Sequence, residues 1–153
     1  MGIVVVTGTS TGIGQATAIT LARAGHAVFA GMRNLERGGE LREITSKEKL
    51  PINIVQLDID SDNSVADAFK QILREKGQID VLVNNAGIIG RGYIEEAPIA
   101  VFRQVMETNF FGGLRCIQSS FTIHAGKEER LHHQYNFGCG PVWPVAPRSV
   151  RGF

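Results

Sequence analysis

Thr7-Gly8-Thr9-Ser10-Thr11-Gly12-Ile13-Gly14 packs three glycines and four hydroxyl side chains into eight residues. An apolar β-branched run precedes it and a helix-forming segment follows. Glycines at such a strand-to-helix turn have distinct uses. Gly8 permits the tight turn, Gly12 lets the backbone approach a pyrophosphate, and Gly14 lets helix and strand pack closely. The helix N-terminus adds unpaired N–H groups and the positive end of the helix dipole. Thr9, Ser10 and Thr11 can add hydroxyl donors. The chemistry indicated is phosphate binding in a dinucleotide-binding turn. The plainer reading is a flexible glycine turn; a strand before and a helix after favour the phosphate site.

A second position bears on which dinucleotide. A site selective for NAD places Asp or Glu about 20 residues beyond the glycine loop, where it accepts from the ribose 2′-OH. Here the second apolar run ends Gly31-Met32-Arg33-Asn34, with no acid. A guanidinium at Arg33 can clamp a 2′-phosphate bidentately. The expectation is NADP, with NAD second; the plain alternative is a solvated arginine. Other polar positions have bland readings. Asp58 can cap a turn before the next helix. Asn84 can bond backbone within a sheet, and Asn109 taken alone is a structural amide. His132-His133 with Cys139 matches no established zinc spacing and reads as a surface tail.

These residues need elements to hold them. Residues 3–7, 27–32, 52–58 and 80–84 are short apolar runs that read as buried strands. Between them lie helical segments at 15–24, 35–49 and 62–76, with a further helix over 98–118. The segment 62–76 sets Val65, Ala68, Phe69, Ile72 and Leu73 on one face and stops at Gly77. Alternating strands and helices predict an α/β fold with a parallel sheet and crossover helices. After residue 118 the rhythm ends. Residues 119–153 hold three of the four His (His124, His132 and His133), the one Trp, Trp143, and three of the five Pro.

Composition narrows the classes. A chain of 153 residues has room for one domain, and 43% hydrophobic with 20% charged residues suits a buried core. A net charge of +1 offers no electrostatic reason to expect nucleic acid or an anionic membrane. No apolar run is long enough to span a bilayer. The first residues lack the basic region and cleavage site of a signal peptide. Gly2 suggests myristoylation, but Val6 stands where that motif has Ser or Thr. Two cysteines, Cys116 and Cys139, give no disulfide framework, so the expected setting is reducing and cytoplasmic.

The glycine spacing, Thr-Gly-x-x-x-Gly-Ile-Gly, resembles the fingerprint of the short-chain dehydrogenase/reductase family. Three further segments, in order, resemble it too. Asn84-Asn85-Ala86-Gly87 is similar to the family's Asn-Asn-Ala-Gly motif, and Asp58 to its adenine-contacting acid. Thr108-Asn109-Phe110-Phe111-Gly112 is similar to the helix segment bearing its catalytic Asn. The resemblance covers residues 3–118 and implies a Rossmann-type doubly wound parallel sheet, cut short at its C-terminal side. It implies NADP-dependent hydride transfer between a carbonyl and an alcohol, with a small-molecule substrate. The cofactor residues it implies are Gly8, Ser10, Thr11, Gly12, Ile13, Gly14, Arg33, Asp58, Asn85, Ala86 and Gly87, with Asn109 as the surviving catalytic position. A homo-oligomer is left open.

The chain departs from the family where the proton donor belongs. The family pattern is Tyr-x-x-x-Lys with a Ser about a dozen residues earlier. Tyr93 is followed four residues on by Ala97, and Tyr135 by Cys139, so neither fits. As written, the chain is expected to be a poor enzyme. The genetic code offers a cause. With the coding frame advanced by one nucleotide from Ser119, the permitted residues include A-V-L-P-S-M-R-E-K-K-S-G-C-I-I-N-I-T-S-V-A-G-R, ending over Pro141. That string resembles the family's next helix, strand and serine loop. The serine codon would overlap Phe137, and a tyrosine codon is permitted over Val150. Residues 119–153 are thus read as a frameshifted or alternative tail. The rival readings are a catalytically inactive dinucleotide-binding module and a product that does not fold.

Overall fold

The computed structural model describes residues 1–90, 95–122 and 133–136, with residues 121–122 and 133–136 as backbone. Tyr93, His124, His132, Cys139, Trp143 and everything past residue 136 lie outside the described residues. Five strands run β1 (Ile3–Thr7), β2 (Ala27–Met32), β3 (Ile52–Gln56), β4 (Val81–Asn84) and β5 (His133–Asn136). Five helices are α1 (Gly12–Arg23), α2 (Gly39–Glu48), α3 (Asp62–Lys76), α4 (Ile99–Met106) and α5 (Gly113–Thr122). A 3₁₀ turn, Leu35–Gly38, leads into α2, and a π turn, Glu107–Gly112, joins α4 to α5.

The strands form one parallel sheet in the order β3-β2-β1-β4-β5. The chain winds outward from β1 to β3, then returns to place β4 on the other side of β1. Strand order therefore switches direction beside β1, where an α/β sheet opens a crevice at the carboxyl ends of its strands.

Period-2 alternation divides the core between the two faces. Val5 points into a cluster with Phe29, Leu57, Phe69, Ile72, Leu82 and Cys116. Val4 and Val6 point into the opposite cluster with Ala18, Val28, Ala30, Met32 and Val83. β1 and β2 are covered on both sides, which is why they read as unbroken apolar runs. Each buried Val or Phe side chain contributes about 1.5–3 kcal/mol relative to exposure.

The strands at 3–7 and 27–32 and the helix at 62–76 stand where the sequence places them. The strand expected over 52–58 ends at Gln56, which leaves Asp58 in the following loop, and the one expected over 80–84 begins at Val81. Four further details differ. α1 begins at Gly12, inside the glycine loop, because positions that bind anions there are also the helix's first turn. The helix expected over 35–49 opens as a 3₁₀ turn, with Asn34 Oδ1 accepting from the Glu36 N–H at 2.9 Å. The helix expected over 98–118 is interrupted by the π turn and runs on to Thr122. β5 lies in a segment where no strand is expected; His-Gln-Tyr-Asn lacks an apolar pattern, yet its backbone pairs with β4 from Val81↔His133 to Asn84↔Asn136. Among the described residues, no helix is long and apolar enough to cross a membrane.

Candidate functional site

A cavity of about 530 Å³ opens at the carboxyl ends of β1, β2 and β4. Gly8, Ser10, Thr11, Ile13, Gly14, Arg33, Asp58, Asn85, Ala86 and Gly87 line it. Ten of the twelve residues singled out from the sequence thus meet in one place. Gly12 and Asn109 do not line it, though Gly12 sits in the same exposed loop.

The loop's geometry explains its glycines. Gly8 has φ +70°, and a Cβ there would stand 2.7 Å from Ala86 Cα. A Cβ on Gly14 would stand 2.3 Å from both Gly8 O and Asn85 Nδ2. Gly12 has φ +65° with open space around it, so a ligand can approach its backbone. The first turn of α1 has no side-chain cap bond from Thr11 and no acidic residue. Its N–H groups therefore face the cavity without a competing anion, as phosphate binding requires. Ile13 is 70% exposed at the mouth, an apolar surface that a bound ligand would cover.

Thr7 ties this loop to the end of β4. Its Oγ1 accepts from the N–H groups of Asn85 and Ala86, each at 3.0 Å. Asn85 Nδ2 in turn donates to Thr7 O at 2.9 Å and Gly8 O at 3.1 Å. Asn85 therefore sets the shape of the glycine turn with its side chain. Thr9 corrects an expectation. It is fully buried, and its N–H and hydroxyl both donate to Gly31 O, at 3.0 and 3.1 Å. It pins the loop to β2 and does not line the cavity.

Asn109 also has a specific place. Its Oδ1 accepts from the Ile88 N–H at 2.8 Å and its Nδ2 donates to Ile88 O at 2.9 Å. Both ends of the amide hold the backbone just past Gly87, so the side chain shapes the cavity wall from behind. Asp58 has a structural bond, accepting from the Asp60 N–H at 3.2 Å, and still lines the cavity. Cys116 is buried away from it, and burial pushes its thiol up to about 12, which keeps it protonated and inert.

The cavity also contains residues the sequence reading passed over: Arg37, Asn34, Ile59, Asp60, Ile88 and Thr108. Arg37 had a readable signal, standing four residues after Arg33 in the same segment past β2. No acidic side chain follows β2 before Glu36, and Glu36 does not line the cavity. The residues present fit a nicotinamide dinucleotide: an uncapped helix start for the pyrophosphate, glycine backbone beside it, and cations at the end of β2.

Comparison with known proteins agrees with this geometry. Residues 2–128 match the family described as short chain dehydrogenase. The match runs past residue 118, where the motif resemblance ends. Bovine (Bos taurus) retinol dehydrogenase 8 is 40% identical over 135 residues, covering 85% of this chain and 42% of that protein. Farnesol dehydrogenase from Aedes aegypti is 33% identical, over 78% of this chain and 49% of its own. The alcohol dehydrogenase of Thermococcus sibiricus, solved with 5-hydroxy-NADP, superposes with a TM-score of 0.74 at 31% identity, covering 81% of this chain and 53% of that one. A polyketide ketoreductase solved with NADPH gives 0.74 at 28% identity, over 80% and 47%. The chain spans about half the length of these relatives or less. With the glycine turn, the switch-point cavity and the match over residues 2–128 together, the chain belongs to the short chain dehydrogenase family.

Proposed function

We propose that this chain is the NADP-binding part of an oxidoreductase that transfers hydride between a carbonyl and an alcohol. The single observation carrying the NADP preference is the pair Arg33 and Arg37, which line the cavity beyond β2, whereas Glu36, between them in the sequence, does not. Two guanidinium groups match a 2′-phosphate and have no use for a 2′-hydroxyl. Gly8, Ser10, Thr11, Gly12, Ile13 and Gly14 would hold the pyrophosphate. Asp58 would face the adenine, and Asn85, Ala86 and Gly87 would flank the nicotinamide ribose. The cofactor, when bound, supplies or takes the hydride. Asn109 keeps the Ile88 backbone in place beside it.

Titrating the full chain with NADPH and with NADH, read by nucleotide fluorescence, tests this. NADPH should bind at least about tenfold tighter, and Arg33→Gln should cut that advantage by about tenfold while leaving NADH unchanged. Equal affinities for the two nucleotides would refute the NADP reading. Turnover with a panel of ketones should stay at background, because no Tyr-x-x-x-Lys supplies the proton.

A second reading concerns the tail. The backbone of His133–Asn136 pairs in parallel beside β4, where the shifted frame permits I-N-I-T. This strand falls where the shifted string resembles the family's next strand, and that coincidence motivates the reading of a frameshift after Gln118. The coding DNA decides it: codons incompatible with the shifted string would remove this reading.

A further inference from the structure

The loop 57–61, between β3 and α3, supplies Asp58, Ile59 and Asp60 to the cavity. Past Leu57 it makes no ladder hydrogen bonds, so something else must set its position. Close in sequence, Ser64 Oγ accepts from the Asp58 N–H at 2.9 Å and the Ser61 N–H donates to Asp58 O at 3.1 Å; the π turn and the start of α5 hold it from across the sequence. Arg115 donates from Nε to Asp62 Oδ1, from Nη2 to Glu107 Oε1, and from Nη1 to Ile59 O at 3.3 Å. Thr108 Oγ1 donates to Asp60 Oδ2 at 3.0 Å. Gly112 leaves room for Ile59; a Cβ there would stand 2.8 Å from Ile59 Cδ1.

We infer that Arg115 is a positioning residue for the cofactor cavity, fixing its Ile59–Asp60 wall to the turn that carries Asn109. The inference rests on the dinucleotide reading above and adds a residue that no motif contains. Three acceptors in three directions suit a guanidinium fork, which presents rigid planar donors; a single ammonium cannot reach all three. The same contact joins two walls. On one side Arg115 holds the adenine-facing loop. On the other it holds Glu107, next to Thr108 and Asn109, and Asn109 holds Ile88. Its charge also offsets Asp62 and Glu107 beside Asp58 and Asp60, an acidic surrounding that would otherwise repel a polyanionic ligand.

The test uses the full chain, NADPH titration, and a ligand-free thermal melt run in parallel. Arg115→Gln should weaken NADPH about tenfold at a temperature well below its melt, and Arg115→Lys should recover less than half of that loss. Asp62→Asn, at a carboxylate side chain 83% exposed, keeps the fold intact and should weaken binding about threefold. A lowered melt with unchanged NADPH affinity in all three variants overturns the inference and leaves Arg115 a purely structural tie. Full rescue by Lys overturns it in favour of charge alone. If the unmodified chain binds neither NADPH nor NADH, the dinucleotide reading falls and takes this inference with it.

Discussion

The strands and turn around α1 and the helical arm from α4 to α5 are built on opposite terms. In the first region every residue of β2 is buried, and packing and site coincide: Gly8 and Gly14 touch the same atoms that shape the cavity. In the second, α4 has no buried residue. Ile99, Phe102, Met106, Phe110, Phe111 and Leu114 are all exposed. Among the arm's described side chains, the buried ones lie on the side bearing Thr108, Gly112, Cys116 and Ser120. The difference teaches that the cofactor end of this fold closes its own core. The arm contributes to the site through a few polar contacts, Asn109 to Ile88, Thr108 to Asp60 and Arg115 to Ile59, and carries an apolar face that the described residues do not cover.

Substitutions on the two sides should therefore differ sharply in cost. The largest loss is expected from Gly14→Ala. Its methyl would meet backbone oxygen at 2.3 Å, which cannot rotate away, so urea unfolding should show about 3 kcal/mol lost. Stability within about 0.5 kcal/mol of the parent would break the view that site and core coincide there. Asn109→Ala, at the junction of the regions, strands the N–H and C=O of Ile88 and should cost about 2 kcal/mol. A neutral outcome would mean that the arm does not hold the cavity wall.

Cys116 gives a smaller, pH-dependent effect on the arm's buried side. Its folded pKa is raised, from 9.0 to about 12, so the protonated thiol's contribution is fully present below pH 9. It is lost as pH rises from 9 toward 12, because only the unfolded thiol ionises there. The stability gap between parent and Cys116→Ala should narrow by about 1 kcal/mol by pH 10. A constant gap would show that Cys116 is not buried. Smallest of all, Met106→Gln on the exposed face should change stability by less than about 0.5 kcal/mol. A loss of 2 kcal/mol in the same urea assay would show that face to be covered, and the contrast drawn above would fail.

How far these features were legible follows from their range along the chain. β1 and β2 are β-branched or apolar runs with glycines at their ends, so local pattern suffices. The three loop glycines are spaced by the turn itself. The Arg115 contacts were not legible, because Ile59 and Asp62 lie more than fifty residues away and the sequence marks no pairing. The role of Thr9 was hidden for the same reason: its acceptor, Gly31, belongs to the neighbouring strand. The π turn has no composition cue beyond Gly112-Gly113. β5 could not be foreseen, since a polar segment reads as a strand only when a partner's register is known.

The bonds from Thr7 to Asn85 and Ala86 join residues almost eighty positions apart. Their consequence is temporal. During synthesis the glycine loop emerges well before the strand that completes its floor. Until β4 arrives, Gly8 has no Ala86 to lean on and Thr7 has no amides to receive. Closing so long a loop carries an entropy cost that contacts must offset together. The anion-binding turn is thus translated well before it can be assembled, and its shape waits on a strand from much later in the chain.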